Sequence, residues 1–170
     1  MAAIVGITPG EVYTSDDRAQ GKGFAPGTRG FGAAGKEYVM VLVAASQNLV
    51  NGNVVTLGTG ATFNVATILA SAAPAPGASV YPVGVAVCSI TASASTYIWA
   101  QVYGTCQVGF TDVTTSNAPG VPCMPSSVPG SVKGSLNTAS SFIEGMVMVA
   151  TTTAAGLGAV FLSYPRLSPA

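Results

Sequence analysis

From Ser95 to Val108 the chain alternates strictly between two kinds of position. Ile98, Ala100, Val102, Gly104, Cys106 and Val108 fall on one side, and Tyr97, Trp99, Gln101, Tyr103, Thr105 and Gln107 on the other. Period two over this length predicts a β-strand with a small apolar inner face. The run Glu37–Ala45 is apolar at consecutive positions instead, the pattern of a strand buried on both faces. Asn51-Gly52-Asn53 signals a turn into a strand at Val54–Leu57, and Gly58-Thr59-Gly60 a turn before another at Phe63–Thr67. Pro74–Gly77 breaks the chain, and Val83–Ile90 leads through the small-residue turn Thr91–Thr96 into the alternating strand.

Residues 112–131 hold Pro119, Pro122, Pro125 and Pro129 and read as an irregular loop. Phe142–Ala150 and Ala159–Tyr164, split by Thr151–Gly158, form a second hairpin. Gly84 precedes Tyr103 by the same interval as Gly145 precedes Tyr164, so the two hairpins look alike. No long stripe of period 3.6 survives anywhere. Residues 1–37 are Gly-rich and polar with no sustained period, the composition of an extended arm. The expected architecture is all-β: an antiparallel β-sandwich or small β-barrel over residues 38–170, with a Pro-rich loop at 112–131 and the arm in front.

Charge sharpens this picture. Charged residues make up 7% of the 170-residue chain and sum to zero, where about 25% is usual. Eight of the twelve lie within residues 11–37 (Glu11, Asp16, Asp17, Arg18, Lys22, Arg29, Lys36, Glu37), and none lies between Tyr38 and Thr111. A neutral, charge-poor surface favours association with other chains, so a homo-oligomer is expected. Polar residues interrupt every apolar run well short of a membrane span. The opening MAAIVGITPGE lacks the basic and apolar regions of a signal peptide, so synthesis in a cytoplasm and no membrane contact are expected.

Candidate chemistry is sparse. There is no histidine, and Ser and Thr have no base beside them. Cys88, Cys106 and Cys123 match no zinc or redox spacing and read as small buried hydrophobes; a Cys88–Cys106 bridge between neighbouring strands stays open. Asp16-Asp17 reads as a solvated turn sooner than half a cation site, and Gly21–Gly27 lacks the strand and Lys-Ser/Thr of a phosphate loop. Neither an enzyme nor a cofactor is expected. Six basic residues matched by six acids give nucleic acid no footprint. The uncharged aromatic face of Tyr97, Trp99 and Tyr103 is covered either by the same domain or by another protein. Those three, with the arm cations Arg18, Lys22, Arg29 and Lys36, are the interface candidates.

Several stretches resemble a known family. Phe24-Ala-Pro-Gly-Thr-Arg-Gly30, Gly35-Lys-Glu-Tyr-Val-Met-Val41 with Ala44, and Leu49-Val-Asn-Gly-Asn-Val-Val55 are followed by Val83-Gly-Val-Ala86 and Tyr97-Ile-Trp-Ala-Gln-Val-Tyr-Gly104. Their order over residues 24–108 resembles that of tailed-phage head-decoration, or capsid cement, proteins. The resemblance implies a non-enzymatic β-domain that binds the major capsid protein on the virion exterior and stiffens the shell, with a trimer as the first guess. A tail or surface-appendage protein, and a carbohydrate-binding module stacking sugars on Tyr97, Trp99 and Tyr103, remain alternatives.

Overall fold

The computed structural model describes residues 3–58, 65–70, 81–91, 95–111, 117–136 and 142–168. The expected breaks at Pro74–Gly77 and Gly58–Gly60, and the start of the Phe63 strand, fall wholly or partly outside them. The first strands are β1 (Ala3–Val5), β2 (Val12–Tyr13), β3 (Arg29–Phe31), β4 (Glu37–Val43), β5 (Val54–Leu57) and β6 (Val65–Ile68). There follow β7 (Tyr81–Ala86), β8 (Tyr97–Phe110), β9 (Cys123–Pro125), β10 (Val132–Gly134), β11 (Ile143–Met148) and β12 (Gly156–Leu167). Among the described residues helix is confined to the short α1 (Ser15–Ala19) and one 3-10 turn at Ala33–Gly35. The protein is all-β.

β8 is the spine of two closed rings. Its first half pairs with β4, placing Trp99 opposite Met40, and with β7, placing Gln101 opposite Val85. β4 then pairs with β6, β6 with β5 and β5 with β7, which closes a small barrel. The second half of β8 pairs with β12 from Tyr103–Ser163 to Phe110–Gly156. β12 pairs with β11, the bridge Pro122–Val147 joins β11 to the β9 region, and β9 pairs with β10, which returns to β8 at Phe110. Two small barrels therefore share one strand.

The alternation read from sequence sorts the two cores. Ile98, Ala100 and Val102 enter the first barrel with Val41, Val43, Val55, Leu57 and Ala66. Cys106, Val108 and Phe110 enter the second with Met146, Met148, Val160 and Leu162. The strand changes barrels at Gly104, whose φ of 89° only glycine adopts without cost. The pairing with β4 slips two residues earlier, Glu37 facing Tyr103 and Tyr38 facing Gln101. Such a bulge frees backbone carbonyls. The buried Gln101 side chain spans this break, its Nε2 donating to the carbonyls of Tyr103 (3.0 Å) and Thr105 (3.1 Å). A charge-free polar side chain in the core thus belongs to the hinge between barrels.

Three expectations change. First, the sheet is mixed, with β1–β3, β4–β6 and β8–β10 parallel; side-chain alternation carries no information on strand direction. Second, residues 1–37 are not a free arm. β3 pairs with β4, β1 with β3, and β2 with the start of β8. Isolated apolar residues anchor this segment one at a time, which leaves no period to read. Third, the described part of the Pro-rich segment packs inward: Val121, Cys123, Ser126 and Ser131 are buried, as is Asn117. Side chains stand in for ladder bonds there, Asn117 Oδ1 accepting from the Gly134 N–H at 2.7 Å and Ser126 Oγ from that of Val128 at 3.1 Å.

Candidate binding surfaces

Trp99 and Met40 face outward from the first barrel, and the N-terminal segment covers them. Phe24 packs on the Trp99 ring with centroids 5.3 Å apart, and Tyr13 meets Phe24 edge-on at 6.4 Å. Gly30 leaves the space that Ile7 fills, since a Cβ there would lie 2.7 Å from Ile7 Cγ2. The Tyr97 and Trp99 part of the aromatic face is therefore covered by the same chain. Trp99 is wholly buried. Its indole Nε1 is the one buried side-chain nitrogen or oxygen without a hydrogen-bond partner among the described residues. The Tyr13 hydroxyl, its neighbour, donates to Glu11 Oε2 at 2.8 Å. Burial first, then that carboxylate, hold the Tyr13 phenol above the ordinary tyrosine range.

Between Tyr13 and Gly23 the chain makes a charged excursion. Thr14 caps α1: its Oγ1 accepts from the Asp17 N–H at 3.2 Å, and Asp17 Oδ2 accepts from the Thr14 N–H at 2.9 Å and its hydroxyl at 2.8 Å. This reciprocal cap is what S/T-x-x-acid spacing provides at a helix start. The Thr14 bonds hold the Asp17 carboxyl below its usual range. No residue of α1 is buried. Arg18 alone turns back, its guanidinium carbon 4.5 Å from the Tyr97 ring centroid.

A second cluster forms where the barrels meet. Tyr103 lies between two rings of β12, Phe161 edge-on at 5.6 Å and Tyr164 tilted at 5.3 Å. Arg29 reaches from β3 to place its guanidinium carbon 5.3 Å from the Tyr164 centroid, and pairs with Glu37 at 3.8 Å. The Tyr164 phenol sits above its ordinary range, chiefly through a hydrogen bond to Glu37. Lys36 lies against Gly104.

A bulge puts Tyr164 there. Opposite the single Gly145, β12 carries Ser163, Tyr164 and Pro165 between the pairs Met146–Leu162 and Glu144–Arg166. Gly145 has φ 76° and Tyr164 φ 48°. A bulky side chain in the left-handed region is strained, and such strain is held only where the surroundings over-determine it. The result is that Ser163 and Tyr164, consecutive in sequence, are both exposed.

Of the seven interface candidates, Tyr97 and Trp99 are buried within the chain and Arg18 is spent on Tyr97. Lys22 is exposed on the excursion. Tyr103, Arg29 and Lys36 come together at the second cluster. Sequence reasoning missed Glu37, Phe161 and Tyr164. The legible signal was Gly145, a lone glycine inside an apolar strand, which marks a bulge.

The three cysteines are unpaired and buried. Burial pushes the thiols of Cys106 and Cys123 up to about 12 and raises that of Cys88. A thiol titrating there is thiolate for roughly one part in ten thousand at pH 8. Native protein is therefore expected to resist an alkylating reagent that labels the unfolded chain three times; rapid native labelling of Cys123, read by mass spectrometry, would contradict this placement. Among the described residues no three His, Cys, Asp or Glu side chains converge. The sequence matches no protein-family model and no curated protein.

Proposed function

We propose that the protein is a structural component of a tailed-phage virion, bound to the outside of the capsid and stabilising the shell. The observation that carries this reading is the segregation of charge. Both the strands of the first barrel beyond Glu37 and the whole of β8 fall in the charge-free stretch Tyr38–Thr111, while Asp16, Asp17, Arg18 and Lys22 gather on one excursion. A closed, uncharged barrel is suited to a crowded lattice, and an exposed ionic loop gives it a salt-sensitive grip on a charged neighbour. The resemblance of residues 24–108 to head-decoration proteins supports the same role. The partner is the major capsid protein, the site the capsid exterior, and the chemistry non-enzymatic.

The excursion offers a clean test, because its two ends are close: a Cβ on Gly23 would stand 3.6 Å from Tyr13 Cβ. Replacing residues 15–22 by two glycines should leave the tryptophan emission and thermal melt near those of the full chain. Co-sedimentation with undecorated phage shells should fall several-fold at low salt and lose its dependence on salt. If the full chain sediments with no shell, the reading fails. If the shortened chain binds with unchanged salt dependence, the excursion is not the contact.

A further inference from the structure

The outer face of β8, β12 and β11 uses no residue of the charged excursion, and it gathers four of the nine large hydrophobic side chains that are exposed among the described residues. Val149, Leu157, Phe161 and Tyr164 are 44%, 54%, 38% and 43% exposed. They are contiguous: Phe161 lies opposite Val147 on one side and Thr105 on the other, and the Val149 N–H donates to the carbonyl of Ala159 in the next row. We propose that this face binds a second copy of the same chain.

Its charges point to that occupant. At its margins Arg29 pairs with Glu37 and Glu144 stands across the ladder from Arg166, with Lys36 as one further cation beside Gly104. Three cations against two acids leave the face within one charge of balance, so two copies meet with little like-charge field, and neither a polyanion nor a strongly basic partner finds a strong handle. Aromatic rings beside an arginine are the residue types that dominate binding energy in protein contacts. The bulge at Gly145 and Tyr164 holds one of those rings outward at the expense of backbone strain, which an isolated subunit has no use for. A chain with zero net charge needs its apolar face closed by symmetry to remain dispersed.

Sedimentation of the purified chain without any shell tests this separately from capsid binding. The native protein should form a discrete closed oligomer at micromolar concentration. Phe161→Asp should raise its dissociation constant by ~100-fold or more while the melt and tryptophan emission stay put. Leu157→Asp, at the other end of the face, provides a second variant should the first misfold. A native chain that stays monomeric at tens of micromolar, or an oligomer indifferent to both substitutions, overturns the proposal. A monomer whose tyrosine emission is instead quenched by soluble oligosaccharides, and no longer so in Phe161→Asp, also overturns it and assigns the face to sugar.

Discussion

Deleting residues 1–23 is expected to destroy the cooperative melt or lower it sharply, and to shift the tryptophan emission to the red. The protein holds a single Trp, so the emission reports one place. That place is fully buried beneath Phe24, with Ile7 and Tyr13 completing the cover. Truncation removes Ile7, Tyr13 and the β2 pairing to Tyr97 and Ile98. Each large side chain lost from a buried setting forfeits about 1.5–3 kcal/mol, and the exposed faces of Trp99, Met40 and Tyr38 add to it. Trp99→Ala should cost about 3–5 kcal/mol on its own, a fall in melting temperature on the order of 10 °C. Against a total stability of about 5–15 kcal/mol these losses are large. Glycine replacement of residues 15–22 should do neither, because no residue of α1 is buried. A truncated chain that melts like the full one, with blue emission retained, would restore the separable arm expected from composition.

That arm shows where sequence reasoning stops. Period two identified β8, and consecutive apolar positions identified β4, whose adjacent Met40 and Val41 are both buried, one toward Trp99 and one into the first barrel. The turn at Asn51–Asn53 announced β5 at the residues it occupies. Periodicity is a local property, and each of these elements is periodic by itself. The cover over Trp99 is built otherwise, from Ile7, Tyr13 and Phe24 at unrelated spacings in a glycine-rich segment. No window holds two of them in phase. The sharing of β8 between two barrels was hidden for a related reason: one uninterrupted alternation crosses Gly104, and neither the change of pairing nor the positive φ there breaks it.

The equal spacing of Gly84–Tyr103 and Gly145–Tyr164 has two separate causes. Gly84 is small because Ala100 packs against it, a Cβ there lying 3.1 Å from the Ala100 Cβ. Gly145 is small because the bulge needs a positive φ. Strict alternation after Phe161 would turn Tyr164 inward, so the second cluster was invisible to a period-two reading even though Tyr103, Arg29 and Lys36 had been picked out. The missing element was a backbone irregularity, and only its glycine left a mark.

Gly145→Val should therefore be among the most damaging single changes outside the core. Any Cβ at this position runs into the carbonyl oxygen of Ser163. An L-residue in the left-handed region costs about 1–2 kcal/mol even in open space, a β-branched one more, and the collision adds to it, for roughly 3 kcal/mol in all. Gly6→Val is the control: its φ is 84°, yet nothing lies within 4 Å of the added atom. It should lose only the conformational part. Urea midpoints at constant slope separate the two. The Gly145 variant has one relief open to it, flattening the bulge, and that rotates Tyr164 away from Tyr103 and Arg29. Its sedimentation should accordingly show weakened self-association under conditions where the fold survives, whereas Gly6→Val associates normally. Equal urea midpoints for the two variants would mean that the bulge yields without cost, and that Tyr164 is not held outward by the fold.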